Sequence, residues 1–105
     1  MPLARFIEYL IKAKGVILAS LPSLSPICRY DMDLWGDYWR FTSAAAQRLF
    51  GDLFESNNVQ VKAYGNVLVA TAFLYGMAAE DLTTEELEFI DRDYEALITI
   101  RAVKA

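Results

Sequence analysis

The feature that most constrains this chain is a short run of apolar residues after Gly15, Val16-Ile17-Leu18-Ala19. A continuous apolar run of this length is typical of a β-strand that is covered on both faces. A long aromatic-rich connection follows and leads to Thr42, a residue type that favours a helix start. In α/β proteins, loops that leave the carboxyl ends of strands are where ligands usually bind. The run therefore predicts a layered fold with a candidate ligand-binding loop.

The composition indicates one folded domain over residues 1–105, because 105 residues with 55% apolar and 23% charged residues is the balance of a globular chain. The single Cys28 excludes an intramolecular disulfide and fits a reducing compartment. The chain contains no histidine. This absence removes the usual general base and every Ser-His or Cys-His nucleophile arrangement. We therefore predict no catalytic triad and no metal site.

The charge pattern argues against nucleic acid and membrane partners. The net charge is −4, and no basic stripe of the kind that binds nucleic acid is present. Residues 1–5 lack the arrangement of a signal peptide. The longest apolar run, residues 67–79, is shorter than a bilayer span requires. We expect a cytoplasmic, soluble protein.

The apolar periodicity and the turn residues predict an alternation of helices and strands. Three strands and four helices follow from it: a helix over 3–11, a strand over 16–19, a helix from Thr42 to about Phe54, a strand over 59–64, a buried helix over 67–79, a short helix with a capping box of Thr83 and Glu86, and a central strand over 96–103. The inner face of the second helix is predicted to carry Ala45, Leu49, Phe50 and Leu53. This order predicts an α/β fold with a small three-stranded mixed sheet and helices packed on it.

Two segments resemble the C-terminal half of class I, S-adenosylmethionine-dependent methyltransferases. The first is similar to that family's turn from a helix into its fifth strand, and it reads Ile11-Lys12-Ala13-Lys14-Gly15-Val16-Ile17-Leu18. The second is similar to an element that opens the next helix in one subgroup, Asp37-Tyr38-Trp39-Arg40-Phe41-Thr42. Residues 64–66 and 98–104 fit the last two strands of that subgroup. The resemblance covers nearly the whole chain.

The resemblance implies half of a Rossmann-like methyltransferase fold, truncated so that the cofactor-binding half is missing. No G-x-G-x-x-G loop is present, so we predict no cofactor, and S-adenosylmethionine only if a partner supplies the missing half. The sequence also departs from the family at three positions. Ala13 and Lys14 replace the usual Pro and Gly, and Gly36 stands where the subgroup often has a histidine.

The long loop holds the candidate site. Its residues predicted to bind a substrate are Tyr30, Trp35, Asp37, Tyr38, Trp39 and Arg40. Tyr and Trp combine flat apolar area with a polar tip, which suits stacking on a ligand. The alternative is a loop packed onto the sheet and tied down by a pair of Arg40 with Asp37 or Asp31. The sequence leaves both interpretations open.

The acidic residues cluster toward the C-terminus, where residues 80–95 hold eight of the fourteen acids. The spacing Asp91-x-Asp93-x-Glu95 faintly resembles a calcium loop, but the turn glycine and the distal glutamate of an EF-hand are absent. A solvated acidic face is the preferred interpretation.

Two functions are predicted. The first is a non-catalytic, methyltransferase-derived module that acts through self-association or by binding a partner or ligand. The alternative is the acceptor-side part of a methyltransferase that another chain completes. A third, weaker option is a small-ligand binder that uses the aromatic loop alone. We expect a homodimer or larger homo-oligomer, formed through an exposed strand edge or through the apolar helices at 3–11 and 67–79.

Overall fold

The computed structural model describes Tyr9 and residues 11–105. Its strands are β1 (Val16–Pro22), β2 (Val59–Tyr64) and β3 (Leu97–Val103), and its helices are α1 (Arg29–Leu34), α2 (Ser43–Phe54), α3 (Val67–Leu74) and α4 (Thr84–Glu88). Short 3₁₀ turns lie at Ser56–Asn58 and Ala79–Asp81. The helix predicted over residues 3–11 falls almost wholly outside the described residues.

The three strands form one antiparallel sheet in the order β1-β3-β2. The prediction that β3 is the central strand is confirmed. The prediction of a mixed sheet is wrong, because β3 runs opposite to both of its neighbours. β1 and β2 point the same way, but β3 separates them and they share no hydrogen bonds.

The sheet has one covered face and one open face. Inward side chains come from Ile17 and Leu21 on β1, Ile98 and Ile100 on β3, and Val59 on β2, and they pack against α2. Side chains alternate between the two faces along a strand, so the residues between these inward ones point to the open face. The prediction that β1 is buried on both faces is therefore wrong: Leu18 is 76% exposed.

Helix α2 begins where the sequence predicts. The Thr42 Oγ1 accepts a hydrogen bond from the Ala45 N–H at 3.1 Å, which satisfies one free donor of the first turn. The buried residues of the helix are Ala46, Phe50 and Phe54, spaced four apart on one face. The predicted inner face is thus partly wrong, because Ala45 is exposed.

Helix α3 is a helix, as predicted, but it is neither as long nor as buried as predicted. It ends at Leu74 instead of continuing to residue 79. Its small residues Ala70 and Ala72 are buried, whereas Phe73 and Leu74 are about half exposed, at 51% and 55%. A sheet of three strands has too little surface to cover a helix that is apolar on all sides.

Two short helices complete the fold. The predicted capping box of α4 is confirmed: the Thr83 N–H donates to Glu86 Oε1 at 2.8 Å, and the Glu86 N–H donates to Thr83 Oγ1 at 3.2 Å. Helix α1 was not predicted. It has no buried residue and no side-chain cap, so neither apolar periodicity nor a capping residue marks it in the sequence.

Candidate functional site

The candidate site is the loop of residues 23–42, which joins β1 to α2 and contains α1. Both of its ends are fixed by the sheet. The Ser23 N–H donates to the Ala96 carbonyl at 3.2 Å, and the Phe41 N–H donates to the Pro22 carbonyl at 3.0 Å. Phe41 also packs against the core. The loop therefore leaves and re-enters the fold at neighbouring points.

An ion pair of Asp37 and Arg40 holds the middle of the loop. The contact is bidentate, with guanidinium nitrogens 2.7 Å and 2.9 Å from the two carboxylate oxygens. The same carboxylate accepts the Cys28 N–H at 3.1 Å. The hydrogen bonds from Arg40 have the larger effect and the bond from the Cys28 N–H the smaller one. Together they lower the pKa of Asp37 from 3.8 to about 2. Asp37 is thus held as a carboxylate.

The remaining donors of Arg40 bind backbone carbonyls across the loop. They contact Pro26 at 2.8 Å, Trp39 at 2.9 Å and Ser25 at a long 3.5 Å. A guanidinium has five N–H donors, and all five of Arg40 are used inside the protein. The geometry of Asp37 and Arg40 is that of a loop anchor. A direct contact of either residue with a ligand stays a prediction.

The four large aromatic residues of the predicted site lie on the outside of this anchored loop. Their side chains are 60–76% exposed, and they are Tyr30, Trp35, Tyr38 and Trp39. The rings of Tyr30 and Trp35 meet edge to face, with centroids 6.3 Å apart. The structure thus combines the two interpretations of the loop: the charged pair ties it down, and the aromatic residues face solvent.

Gly36 explains part of this arrangement. Its φ of +88° is a conformation that side-chain-bearing residues rarely adopt. A Cβ at this position would also collide with the ring of Tyr38, which folds back over it. Glycine at position 36 therefore sets the place of one of the exposed aromatic side chains.

Asp37 does not have the pKa expected of a general base. A general base at neutral pH needs a carboxyl pKa raised toward 7, whereas the pKa of Asp37 is lowered. Within residues 11–105 and Tyr9, the structure brings together no group of three or more Cys, Asp or Glu side chains that could hold a metal ion. The arrangement offers exposed aromatic side chains on an anchored loop, which suits recognition.

The acidic triplet at residues 91–95 has local structural contacts. The Asp93 N–H donates to Asp91 Oδ1 at 3.0 Å. The Glu95 carboxylate accepts the Ser43 N–H at 2.8 Å, at the start of α2, where a negative charge favours the helix. This second cap of α2 joins residues 52 positions apart, so no local signal in the sequence could have indicated it.

A second candidate surface is the outer edge of β1. Just past the end of this strand, the Ser23 N–H bonds the Ala96 carbonyl of the β3 side. Along an antiparallel pair, the backbone groups of every second residue bond the partner strand, and Ser23 indicates which residues of β1 do so. The backbone groups of Val16, Leu18 and Ser20 therefore point away from β3. No other strand of the described residues pairs with them. In the described part of the chain, the edge from Val16 to Ser20 is therefore unpaired, whereas beyond it the Pro22 carbonyl accepts the Phe41 N–H.

Comparison with known proteins gives no family to which the chain can be assigned. No protein-family model matches the sequence, and neither a curated protein nor a solved structure matches it. In the described part of the chain, no helix has the length and apolar character that crossing a membrane requires.

Proposed function

We propose that this protein is a non-catalytic, methyltransferase-derived module that acts through self-association. The observation that carries the proposal is the open outer edge of β1. The resemblance makes this strand the fifth of a seven-stranded fold, in which another strand lies beside it. An unpaired, apolar strand edge is a template for another strand, and a second copy of β1 offers the same edge.

The chemistry of the two edge strands favours β1 over β2. β1 contains no charged residue, whereas β2 carries Lys62. Lysine on an edge strand disfavours pairing with another chain, and β1 lacks this protection. The exposed side chains of Val16 and Leu18 add apolar area at this edge. Helix α3 supplies a second apolar surface, with Leu74 and Tyr75 exposed.

Sedimentation equilibrium with two matched variants tests the proposal. Leu18 on β1 and Gln60 on β2 lie directly opposite Arg101 from its two sides. L18K and Q60K therefore add the same charge to the same sheet face, at different edges. We expect a dimer at micromolar concentration for the wild type and for Q60K, and a monomer for L18K. A stable monomeric wild type, or equal effects of both variants, would reject edge pairing through β1.

The alternative function is the acceptor-side part of an S-adenosylmethionine-dependent methyltransferase that another chain completes. The observation that favours it is the loop, in which the Asp37–Arg40 pair anchors the backbone on either side of Tyr38 and Trp39 while both rings remain exposed. Such an exposed aromatic surface suits a substrate that stacks or packs on it. In this case the outer edge of β1 pairs with a strand of the completing chain.

Calorimetry separates the two functions. Titration of the isolated protein with S-adenosylmethionine and S-adenosylhomocysteine is expected to show no binding, because no described segment forms a glycine-rich cofactor loop. Binding at micromolar affinity would contradict the non-catalytic module. A second chain that restores cofactor binding on mixing, and that fails to do so with L18K, would establish the alternative.

A further inference from the structure

The open face of the sheet carries positive charge only. The three strands contain no acidic residue, although the chain has fourteen acids and a net charge of −4. On the open face, β2 presents Lys62 and β3 presents Arg101. A cationic surface with no carboxylate therefore lies in the middle of an acidic protein.

The two cations are close together and lack carboxylate partners. Lys62 lies opposite Thr99, and Arg101 follows two positions along β3 on the same face. Diagonal neighbours of this kind have side chains about 7–8 Å apart at their base. Neither forms an ion pair with any carboxylate of the described residues. Leu18, 76% exposed, borders Arg101 on the side of β1.

Helix α4 has the complementary chemistry. Glu85 and Glu88 are exposed and lie one helical turn apart, with side chains about 5–6 Å apart at their base. The Glu86 side chain closes the capping box of α4. The carboxylates of Glu85 and Glu88, by contrast, accept no hydrogen bond from the described residues. Leu87 and Phe89 beside them are exposed as well, with Phe89 at 63%. The helix is thus an acidic segment with an apolar border.

We infer that α4 of one copy docks on the open sheet face of a second copy. Glu85 and Glu88 pair with Lys62 and Arg101, and the apolar border of α4 covers Leu18. We place the contact head to tail, so that each added copy leaves one free α4 and one free sheet face and the assembly extends beyond a dimer. It deepens the proposed assembly role and uses side chains instead of the backbone edge of β1.

Charge-swapped variants of the full chain test this contact in sedimentation experiments at low salt. K62E/R101E and E85K/E88K each leave two like-charged surfaces facing one another. We expect each variant alone to associate beyond the dimer about tenfold more weakly than the wild type. An equimolar mixture of the two is expected to recover association, because each supplies the surface that the other has lost.

A matched control is K12E/R48E, which makes the same change of charge at two exposed positions outside the sheet. It is expected to behave as the wild type, and circular dichroism checks that every variant is folded. The inference is overturned by a wild type that forms no species beyond the dimer, by a K62E/R101E variant equal to the control, or by a mixture without recovery. Leu18 lies in both proposed contacts, so the charge swaps separate them. A K62E/R101E variant equal to the control, combined with a monomeric L18K, would reject this contact and leave pairing through the β1 edge standing.

Discussion

At the scale of single residues, Asp37 has the largest change of carboxyl pKa among the described residues. Its pKa is lowered to about 2 by the bonds from Arg40 and Cys28. A depressed carboxyl pKa stabilises the folded state above the ordinary value of 3.8, and this contribution is lost as the pH falls through about 2. The pair is only partly buried, with the Arg40 side chain 30% and the Asp37 side chain 17% exposed, so its effect is modest and screened by salt.

The first prediction follows from this linkage. We expect D37N to be less stable than the wild type at pH 7, with a difference that shrinks between about pH 4 and pH 2. Urea unfolding at several pH values measures it. The matched control is D33N, which removes an exposed carboxylate of α1 outside this network and is expected to be as stable as the wild type at pH 7. A D37N deficit that stays constant down to pH 2 would contradict the anchoring role.

Asn66 is a second single residue that links separate parts of the fold. It is 5% exposed, and its Oδ1 caps α3 by accepting the Val69 N–H at 2.9 Å. Its Nδ2 donates to the carbonyls of Glu86 and Phe89 at 2.9 Å and 2.8 Å. One side chain thus starts α3 and fixes the end of α4. An Asn before an apolar run is an N-cap signal, but the two carbonyl contacts lie 20 and 23 residues away.

We expect N66A to lower the free energy of unfolding by about 2–3 kcal/mol, from the lost cap and two unsatisfied carbonyls. N66S keeps a capping oxygen but cannot reach the carbonyls, so an intermediate loss is expected. Chemical denaturation measures both. Equal stability of N66S and the wild type would show that the link to α4 contributes nothing.

At the scale of elements, substitutions on the two faces of the sheet are predicted to lower the free energy of unfolding by different amounts. Ile100 is 2% exposed in the core, and Leu18 on the neighbouring strand is 76% exposed. I100A is expected to cost about 2–5 kcal/mol and L18A less than about 0.5 kcal/mol in unfolding free energy. A large loss for L18A in a monomeric sample would mean that this face is covered after all.

The elements that the sequence predicts well are those with a local signal. β2 alternates apolar and polar residues from Val59 to Tyr64, and its burial alternates with them. Thr42 marks the start of α2 by its own side chain. β1 and α3 are continuous apolar runs. Such a run indicates the type of element but not which other elements cover its surface. Their exposure depends on the number of strands and helices available, which is a property of the whole fold.

The candidate loop shows the same limit. The Asp37–Arg40 pair follows from a spacing of three residues, and the sequence suggested it. Arg40 also donates to the carbonyls of Ser25 and Pro26, which lie 15 and 14 residues away in the sequence. Only the folded loop brings them together, so only the structure separates anchoring residues from the exposed aromatic side chains.

At the scale of the whole molecule, the fold has one covered sheet face. Among the described residues, apolar side chains are also exposed at the outer edge of β1, on helix α3, in the aromatic loop and around α4. Exposed apolar patches of this kind mark interaction surfaces. We propose the edge of β1 as the primary association site.

Amide hydrogen exchange, followed residue by residue by NMR, tests this claim most directly. Ile17 and Ala19 bond to β3 within one chain, so their amides are expected to be protected at every protein concentration. The amides of Leu18 and Ser20 point outward, and we predict protection in a concentrated sample that is lost on dilution and in L18K. Free exchange of these two amides in a sample that sedimentation shows to be dimeric would contradict association through β1.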